Sequence, residues 1–392
     1  MSLNAAQSLF WIAVGALFVP MISRRIRVPT AVGELVYGML IGPHLLGLIA
    51  GDAFIDFMAQ LGFAILMFGA GMEIDFAPIR KRGSKLLGTA LIWTAVAIAA
   101  ATGAAMIFGI DRWLMLAVCS VSIGLASVIL KERDLLGEPL GQAILASGLI
   151  GESVSILILT VFYIYSSLGF SPEFFRSLTH FAGIFLLAYL LMRFFRFIIW
   201  WTPKKIAPFL ESEDPMELGV RLAVALLFIF LAAATFLGVE AILGAFIAGA
   251  LFGFIFQERE VVADKINAIG HGFFIPFFFI VVGSHFEIGH SFHLLSSDLF
   301  YKLLLISIGV KLIPSLLYYR VNLNLREITA SGFLLAAPLT LTVAVAEIGG
   351  SLGEIDGETQ GMLILVAVIN GLLCPFLARF FISDKKNEAK IR

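Results

Sequence analysis

Gly33 to Gly42 reads GELVYGMLIG, and Gly244 to Gly253 reads GAFIAGALFG. Both carry glycines in a Gly-x4-Gly-x3-Gly spacing, at an offset of 211 residues. The apolar segments that follow end alike, FAILMFGAG at Gly71 and FFFIVVG at Gly283, at an offset of 212. Glycine spacing alone is a packing signal common to many membrane helices. Two matches at nearly one offset form an internal repeat.

The composition fits that reading. Of 392 residues, 60% are hydrophobic and 14% charged, and the mean hydropathy is strongly positive, which no soluble composition approaches. The chain is an integral membrane protein. A net charge of −1 argues against nucleic acid and against a polybasic membrane-surface role. Cys119 and Cys374 lie far apart in apolar segments, as two reduced thiols rather than a disulfide framework. Leu9 to Ile22 is followed by SRRIRVP with no small-residue cleavage pattern, so it reads as a first spanning helix rather than a signal peptide. The whole chain, 1–392, is then one membrane domain. No P-loop, nucleophile elbow or HExxH is present, so neither an enzyme nor a cofactor is expected.

A window of roughly 20 residues per crossing yields about thirteen spans, centred near residues 14, 40, 64, 97, 121, 152, 185, 226, 248, 277, 309, 339 and 371. With the amino terminus outside, the clusters Arg24/Arg25/Arg27, Arg80/Lys81/Arg82/Lys85, Lys131/Arg133, Arg193/Arg196/Lys204/Lys205, Arg259/Lys265, Arg320/Arg326 and the Lys385 to Arg392 tail all fall in the cytoplasm. The opposite loops, such as GDAFID and SLGEIDGETQ, carry almost no basic residues. This satisfies the positive-inside rule and puts the carboxyl terminus inside. The repeated segments belong to spans two and nine and to spans three and ten. Seven spans apart means opposite orientation, hence inverted-topology repeats, the plan of secondary transporters. Repeat one covers approximately 5–168 and repeat two approximately 214–383, with a linker helix over 174–200.

Continued, the repeat pairs span five with span twelve, and both look interruptible. CSVSIGLAS (Cys119 to Ser127) is dense in serine and glycine, including Ser120 and Ser122. AAPLTLT (Ala336 to Thr342) holds Pro338 beside Thr340 and Thr342. Proline removes a backbone donor and clashes with the preceding turn, freeing carbonyls that hydroxyls or a bound cation can satisfy. Two kinked packing helices are the plainer alternative.

Span six, ASGLIGESVSILILT (Ala146 to Thr160), puts Glu152 near its centre, where even mild scales charge about 2.5–3.5 kcal/mol for a comparable Asp. An ionised carboxylate there needs a cation, and without one it takes a proton. A group alternating between the two is a proton carrier that a small monovalent cation displaces. Ser153 and Ser122 are natural neutral oxygen ligands for a hard ion. The alternative is a protonated Glu bridging two helices. Lys311, central in span eleven, lies too far from either interface to snorkel easily. Glu152 is the carboxylate expected at its depth, giving an ion pair that loosens on cation binding or protonation. A Lys alone in a hydrated crevice is the other possibility. Glu34, Arg221, Glu73 and Glu347 lie toward span ends and read as interfacial or packing charges. The histidines, His44, His180, His271, His285, His290 and His293, lack metal-ligand spacing.

At these residues the sequence resembles the second cation:proton antiporter family. VPTAVGELVYGMLIGPHLLGLI (Val28 to Ile49) is similar to its first glycine-rich signature, and LGFAILMFGAGMEIDF (Leu61 to Phe76) to the helix that follows. LGVEAILGAFIAGALFG (Leu237 to Gly253) resembles the equivalent signature in the second half. SVILKERDLLGEPLGQAILASGLIGE (Ser127 to Glu152) follows the family's run from the first broken helix to the ion-binding helix without a gap. The resemblance implies an all-α antiporter with crossed broken helices five and twelve, exchanging Na+ or K+ for H+. It also implies an elevator mechanism, with spans four to six and eleven to thirteen as a mobile core against a dimerising scaffold in a lipid bilayer, as for a bacterial inner-membrane homodimer. The family's paired site positions fall on Gly151 and Glu152, so only the second acid carries over. Its threonine or serine in the broken helix falls on Val121 and Ser122, where Val121 offers only a backbone carbonyl, and its later basic residue is matched by Lys311. One carboxylate implies one proton per cation and electroneutral exchange. Some relatives append a soluble nucleotide-binding domain; this sequence stops at Arg392, just past span thirteen, so either no such module exists or it has been removed. The competing readings are a cation channel or ion-gated sensor on the same fold and an organic-anion symporter holding its substrate at half-helix amino termini. Glu152 argues against the symporter.

Overall fold

The structure, a computed structural model, describes residues 3–26, 28–49, 51–72, 84–133, 135–201, 217–237, 241–255, 260–285 and 297–382. Several residues read above lie outside these: Arg27, Glu73, Arg80, Lys81, Arg82, Lys204, Lys205, Arg259, His290, His293 and the Lys385 to Arg392 tail, together with the side chains of Lys131 and Arg196.

The elements among the described residues are all helical. Spans one to four are α1 (Leu3–Ile26), α2 (Thr30–Ile41), α3 (Ala53–Met72) and α4 (Ser84–Phe108). Span five is divided into α5 (Arg112–Cys119) and α6 (Gly124–Glu132), and span six is α7 (Pro139–Leu168). Spans seven to nine are α8 (Pro172–Trp201), α9 (Leu218–Phe236) and α10 (Ala241–Ile255). Span ten joins α11 (Glu260–Ile269) to α12 (Ile275–Ser284) through a π-helical turn at Gly270–Phe274. Span eleven is α13 (Asp298–Ser315), which runs into a 3-10 turn at Leu316–Val321. Span twelve is divided into α14 (Leu325–Leu335) and α15 (Leu339–Ser351), and span thirteen is α16 (Gly357–Phe381).

Eleven stretches among the described residues are long and apolar enough to cross a membrane. The remaining two spans are the shorter apolar helices α2 and α10. These two belong to the glycine-rich segments and occupy equivalent places in the repeat. At 12 and 15 residues and about 1.5 Å per residue, their described helical parts fall short of a hydrocarbon layer about 30 Å thick. The full-length helices expected at these two positions are thus shorter than the hydropathy window.

The two interruptions have local causes. Asp111 caps α5 by accepting from the Trp113 amide at 2.8 Å. After the eight residues of α5 the backbone turns extended at Ser120 (φ −55°, ψ 142°). On the other side, Asn324 and Glu327 form a capping box at the start of α14. Pro338 supplies no amide and disfavours helical backbone at Ala337, so α14 stops at Leu335 and α15 restarts at Leu339. The π-helical turn in span ten was not legible in the hydropathy. Its cause is Pro276 at the second position of α12, which cannot donate to the carbonyl one turn back. The Ile275 amide instead bonds the Gly270 carbonyl, five residues earlier.

The chain divides into two compact units. Unit one comprises residues 1–76 and 160–286, and unit two 77–159 and 287–392. Each unit takes one piece from either repeat, and the boundary at 159/160 falls within α7.

Unit one carries the repeat as residue-for-residue packing. A side-chain carbon added at Gly38 would strike the carbonyl of Ile280, and one at Gly249 would strike that of Phe68. Gly42 lies against Ser284 as Gly253 lies against Met72, and Gly283 against the Leu35 carbonyl as Gly71 against that of Phe246. The offset of 211 carries Leu35, Gly38 and Gly42 onto Phe246, Gly249 and Gly253. The offset of 212 carries Phe68, Gly71 and Met72 onto Ile280, Gly283 and Ser284. Glycine is required here because backbone meets backbone. Unit two is built on an apolar core that includes Trp93, Val121, Ile144, Tyr318, Leu334 and Leu335.

Candidate cation-binding site

The site lies within unit two, where the α5/α6 and α14/α15 breaks meet each other and the middle of α7. Helix α7 offers a small-residue face to the first break. A side-chain carbon at Gly148 would lie 3.2 Å from the Ile123 side chain, and one at Gly151 would lie 3.0 Å from Val121 Cβ and Cγ1. That approach brings Glu152, 3% exposed, against residues 120–123. The Ser122 hydroxyl donates to Glu152 Oε1 and the Ile123 amide donates to Oε2, both at 3.1 Å. Burial of a carboxylate is thus compensated by one hydroxyl and one backbone donor.

Two hydroxyl pairs join the breaks: Ser122 with Thr340 at 2.9 Å and Ser120 with Thr342 at 3.3 Å. Each hydroxyl has one proton. Ser122 gives its proton to Glu152, so Thr340 donates to Ser122. Ser120 gives its proton to the Ala117 carbonyl at 2.7 Å, so Thr342 donates to Ser120. If Glu152 gains a proton on Oε1, the first chain can run the other way, from Glu152 through Ser122 to Thr340. The site therefore has one acid and a ring of hydroxyl oxygens, the donor set of a hard monovalent ion. Among the described residues no group of three or more His, Cys, Asp or Glu gathers as a metal cluster.

Three of the open carbonyls at the end of α5 are taken. The Leu116 carbonyl accepts from the Ser120 amide, that of Ala117 from the Ser120 hydroxyl, and that of Val118 from the Lys311 ammonium. Lys311 is fully buried and stands near the thiols of Cys119 and Cys374. Its contact is the negative end of a half-helix rather than the Glu152 carboxylate expected from depth alone. Its helix is tied down on both sides: the Trp93 indole donates to Ser315 at 3.2 Å, Ser315 to the Lys311 carbonyl at 2.7 Å, and Asn370 to Ser307 at 2.7 Å.

Most of the residues singled out in the sequence are brought together here: Glu152, Ser122, Val121, Ser120, Thr340, Thr342, Lys311 and, at the start of α15, Pro338. Ser153 is not. Its hydroxyl turns back to the Leu149 carbonyl of its own helix at 2.9 Å. Sequence reasoning missed Ser155, which accepts from the Val121 amide at 3.2 Å and donates to the Gly151 carbonyl at 2.7 Å. With Ser120, Cys119, Leu116 and Leu341 it also lines a cavity of about 10 Å³. Its position one turn after Glu152, on the face of Gly148 and Gly151, was the available signal.

Three of the charges read as interfacial or packing groups are among the described residues. Arg221 is exposed and Glu347 half-buried, the latter accepting from Gln360 at 3.1 Å. Glu34, read as an interfacial or packing charge, is 3% exposed.

Residues 13–382 match the family described as sodium/hydrogen exchanger, transmembrane. A putative Na+/H+ antiporter of Bacillus subtilis, YjbQ, is 30% identical over 96% of this chain, which spans 63% of that relative's length. A probable Na+/H+ antiporter of Methanocaldococcus jannaschii is 25% identical, over 97% of each chain. A K+/H+ antiporter of Saccharomyces cerevisiae is 23% identical over 92% of this chain and 44% of its own. Among solved structures, the sodium/proton antiporter MjNhaP1 of Methanocaldococcus jannaschii superposes with a TM-score of 0.64 over 96% of this chain and 97% of that one, at 13% identity, which makes the likeness one of fold. The chain belongs to the sodium/hydrogen exchanger family of membrane transporters.

Proposed function

We propose that this protein exchanges a monovalent cation, Na+ or K+, for H+ by alternating access, with both ions competing for Glu152. The observation that carries the reading is the pair of hydrogen bonds that this carboxylate accepts from the Ser122 hydroxyl and the Ile123 amide at a crossing of two interrupted helices. In the proton-loaded form, Glu152 is neutral and needs no partner ion. In the cation-loaded form, the carboxylate and the surrounding hydroxyl oxygens replace part of the ion's water shell. The names of the relatives, which include both sodium and potassium antiporters, support a monovalent cation without choosing between the two.

The exchange is electroneutral in this reading. Gly151 contributes no second acid, and Val121 fills the adjoining space. Unit two, holding spans four and five, most of span six and spans eleven to thirteen, is the body that moves. The protein works as a homodimer in the lipid of a bacterial inner membrane, with its amino terminus outside and carboxyl terminus in the cytoplasm.

The test is Glu152→Gln in proteoliposomes, with proton movement read against imposed Na+, K+ and Li+ gradients. The substitution keeps the shape and removes the titrating group, so exchange is lost for all three. Exchange at ordinary rates retires the proposal, and current carried down a cation gradient without proton movement identifies a channel instead.

A further inference from the structure

Unit one holds a second buried acid that the exchange site does not use. Glu34 lies on α2, and the helices packed against α2 are α1 and α12. At about 100° per residue, the neighbours of Glu34 locate its side chain. Gly33 and Tyr37 face α1: Gly33 abuts Ser23, and the Tyr37 ring lies on Gly15 and donates its hydroxyl to the Trp11 carbonyl at 2.9 Å. Gly38 and Gly42 face α12 at Ile280 and Ser284. Glu34 projects between these two faces, roughly 60° from Tyr37 and 40° from Gly38, into the seam between α1 and α12.

Among the described residues, nothing in that seam compensates a negative charge. The charged side chains of α1 are Arg24 and Arg25 in its last turn, both exposed. Helix α12 has no ionisable side chain, and its cap residue His285 lies 3.9 Å from Asp56. Within α2 the other ionisable group is Tyr37, occupied by Trp11. Among the described residues, the Glu34 carboxyl has neither a hydrogen-bond donor nor a cation. A carboxylate in such surroundings loses its hydration without replacement, whereas the neutral acid avoids most of that cost.

We propose that Glu34 is a second proton-binding site of this protein, holding H+ on its carboxyl in the α1/α2/α12 seam, separate from the exchange site at Glu152. The proton is taken from water onto a carboxylate oxygen and returned to water when the group ionises. Gly38, Gly42 and Gly283 hold α2 and α12 backbone to backbone, so ionisation loosens the packing of α2 on α12.

Infrared difference spectroscopy of the full chain in lipid nanodiscs tests this directly. Glu152→Gln removes the exchange acid, and at neutral pH that variant should keep a neutral-carboxyl stretch that disappears in Glu152→Gln/Glu34→Gln. A Glu34→Asp variant in the same background should shift the band, which covers the case in which the glutamine variant does not fold. In parallel, the Tm of wild-type protein should fall as pH is raised from about 4.3, the ordinary Glu value, toward neutral, because the unfolded chain ionises there while the folded one keeps its proton; that of Glu34→Gln should fall less. A band unaffected by either Glu34 substitution, or identical Tm profiles, overturns the proposal. Because these readouts do not depend on transport, the proposal stands or falls apart from the assignment of Glu152.

Discussion

The side chain of Val121 occupies the space that any side chain at Gly151 would need: an added carbon there falls 3.0 Å from Val121 Cβ and Cγ1. One residue is small because the other is branched. Gly151→Asp alone should therefore lower stability by about 1–3 kcal/mol through overpacking and reduce exchange. Val121→Ala in the same chain should restore most of the Tm. Thermal unfolding in detergent with exchange assays on all three variants checks this, and a Gly151→Asp protein as stable as wild type would falsify the steric account.

Ser155 holds the first break to α7 through the Val121 amide. Ser155→Ala leaves that buried donor without its acceptor, at a cost of about 1–3 kcal/mol. The break then loses its register beside Glu152. A several-fold rise in the KM for the cation is expected, with a smaller effect on the maximal rate, and Ser155→Thr should recover it. An unchanged KM in the alanine variant would remove Ser155 from the site.

Lys311 neutralises the end of α5 through the Val118 carbonyl. Lys311→Gln shortens the side chain and removes the charge, so a buried carbonyl is left open at about 1–3 kcal/mol. Exchange should fall because the end of α5 is no longer held, and its pH profile should shift because the positive charge near the broken span no longer opposes cation entry. Rates measured across pH in proteoliposomes decide the matter. A profile superposable on wild type would confine Lys311 to a passive packing role.

Asp356 caps α16, and the Thr359 hydroxyl, together with the Thr359 amide at 2.8 Å, holds its carboxyl below the usual carboxylate range. A depressed value in the folded state means the stabilisation is present above the unfolded value of about 3.9 and is lost as pH falls through the folded value. The group is largely exposed, so the effect is small and screened. Asp356→Asn keeps the cap without the titration. Its Tm should decline less than that of wild type on acidification into that range, and equal declines would refute the linkage.

Several parts of this architecture were legible before any coordinates. The thirteen spans follow from hydropathy and the inverted repeat from glycine spacing. Both breaks follow from Ser120 to Gly124 and from Pro338, and Glu152 stands out because a charge within an apolar run is costly wherever the run folds. All are properties of short segments, and the physics that produces them acts along the chain.

Other features depended on which segments meet. Lys311 finds Val118 across 193 residues, and Ser122 finds Thr340 across 218. Ser153 and Ser155 are two residues apart on one helix, yet only Ser155 reaches the break, because the helix turns one toward residues 120–123 and the other away. The burial of Glu34 likewise follows from α1 and α12 closing over it, which its place near a span end did not reveal. Sequence alone determined what must cross a membrane and which charge is out of place there. The tertiary structure decided which carbonyl, hydroxyl or empty seam each polar group faces, because hydrogen bonds and desolvation are set by neighbours brought together through packing.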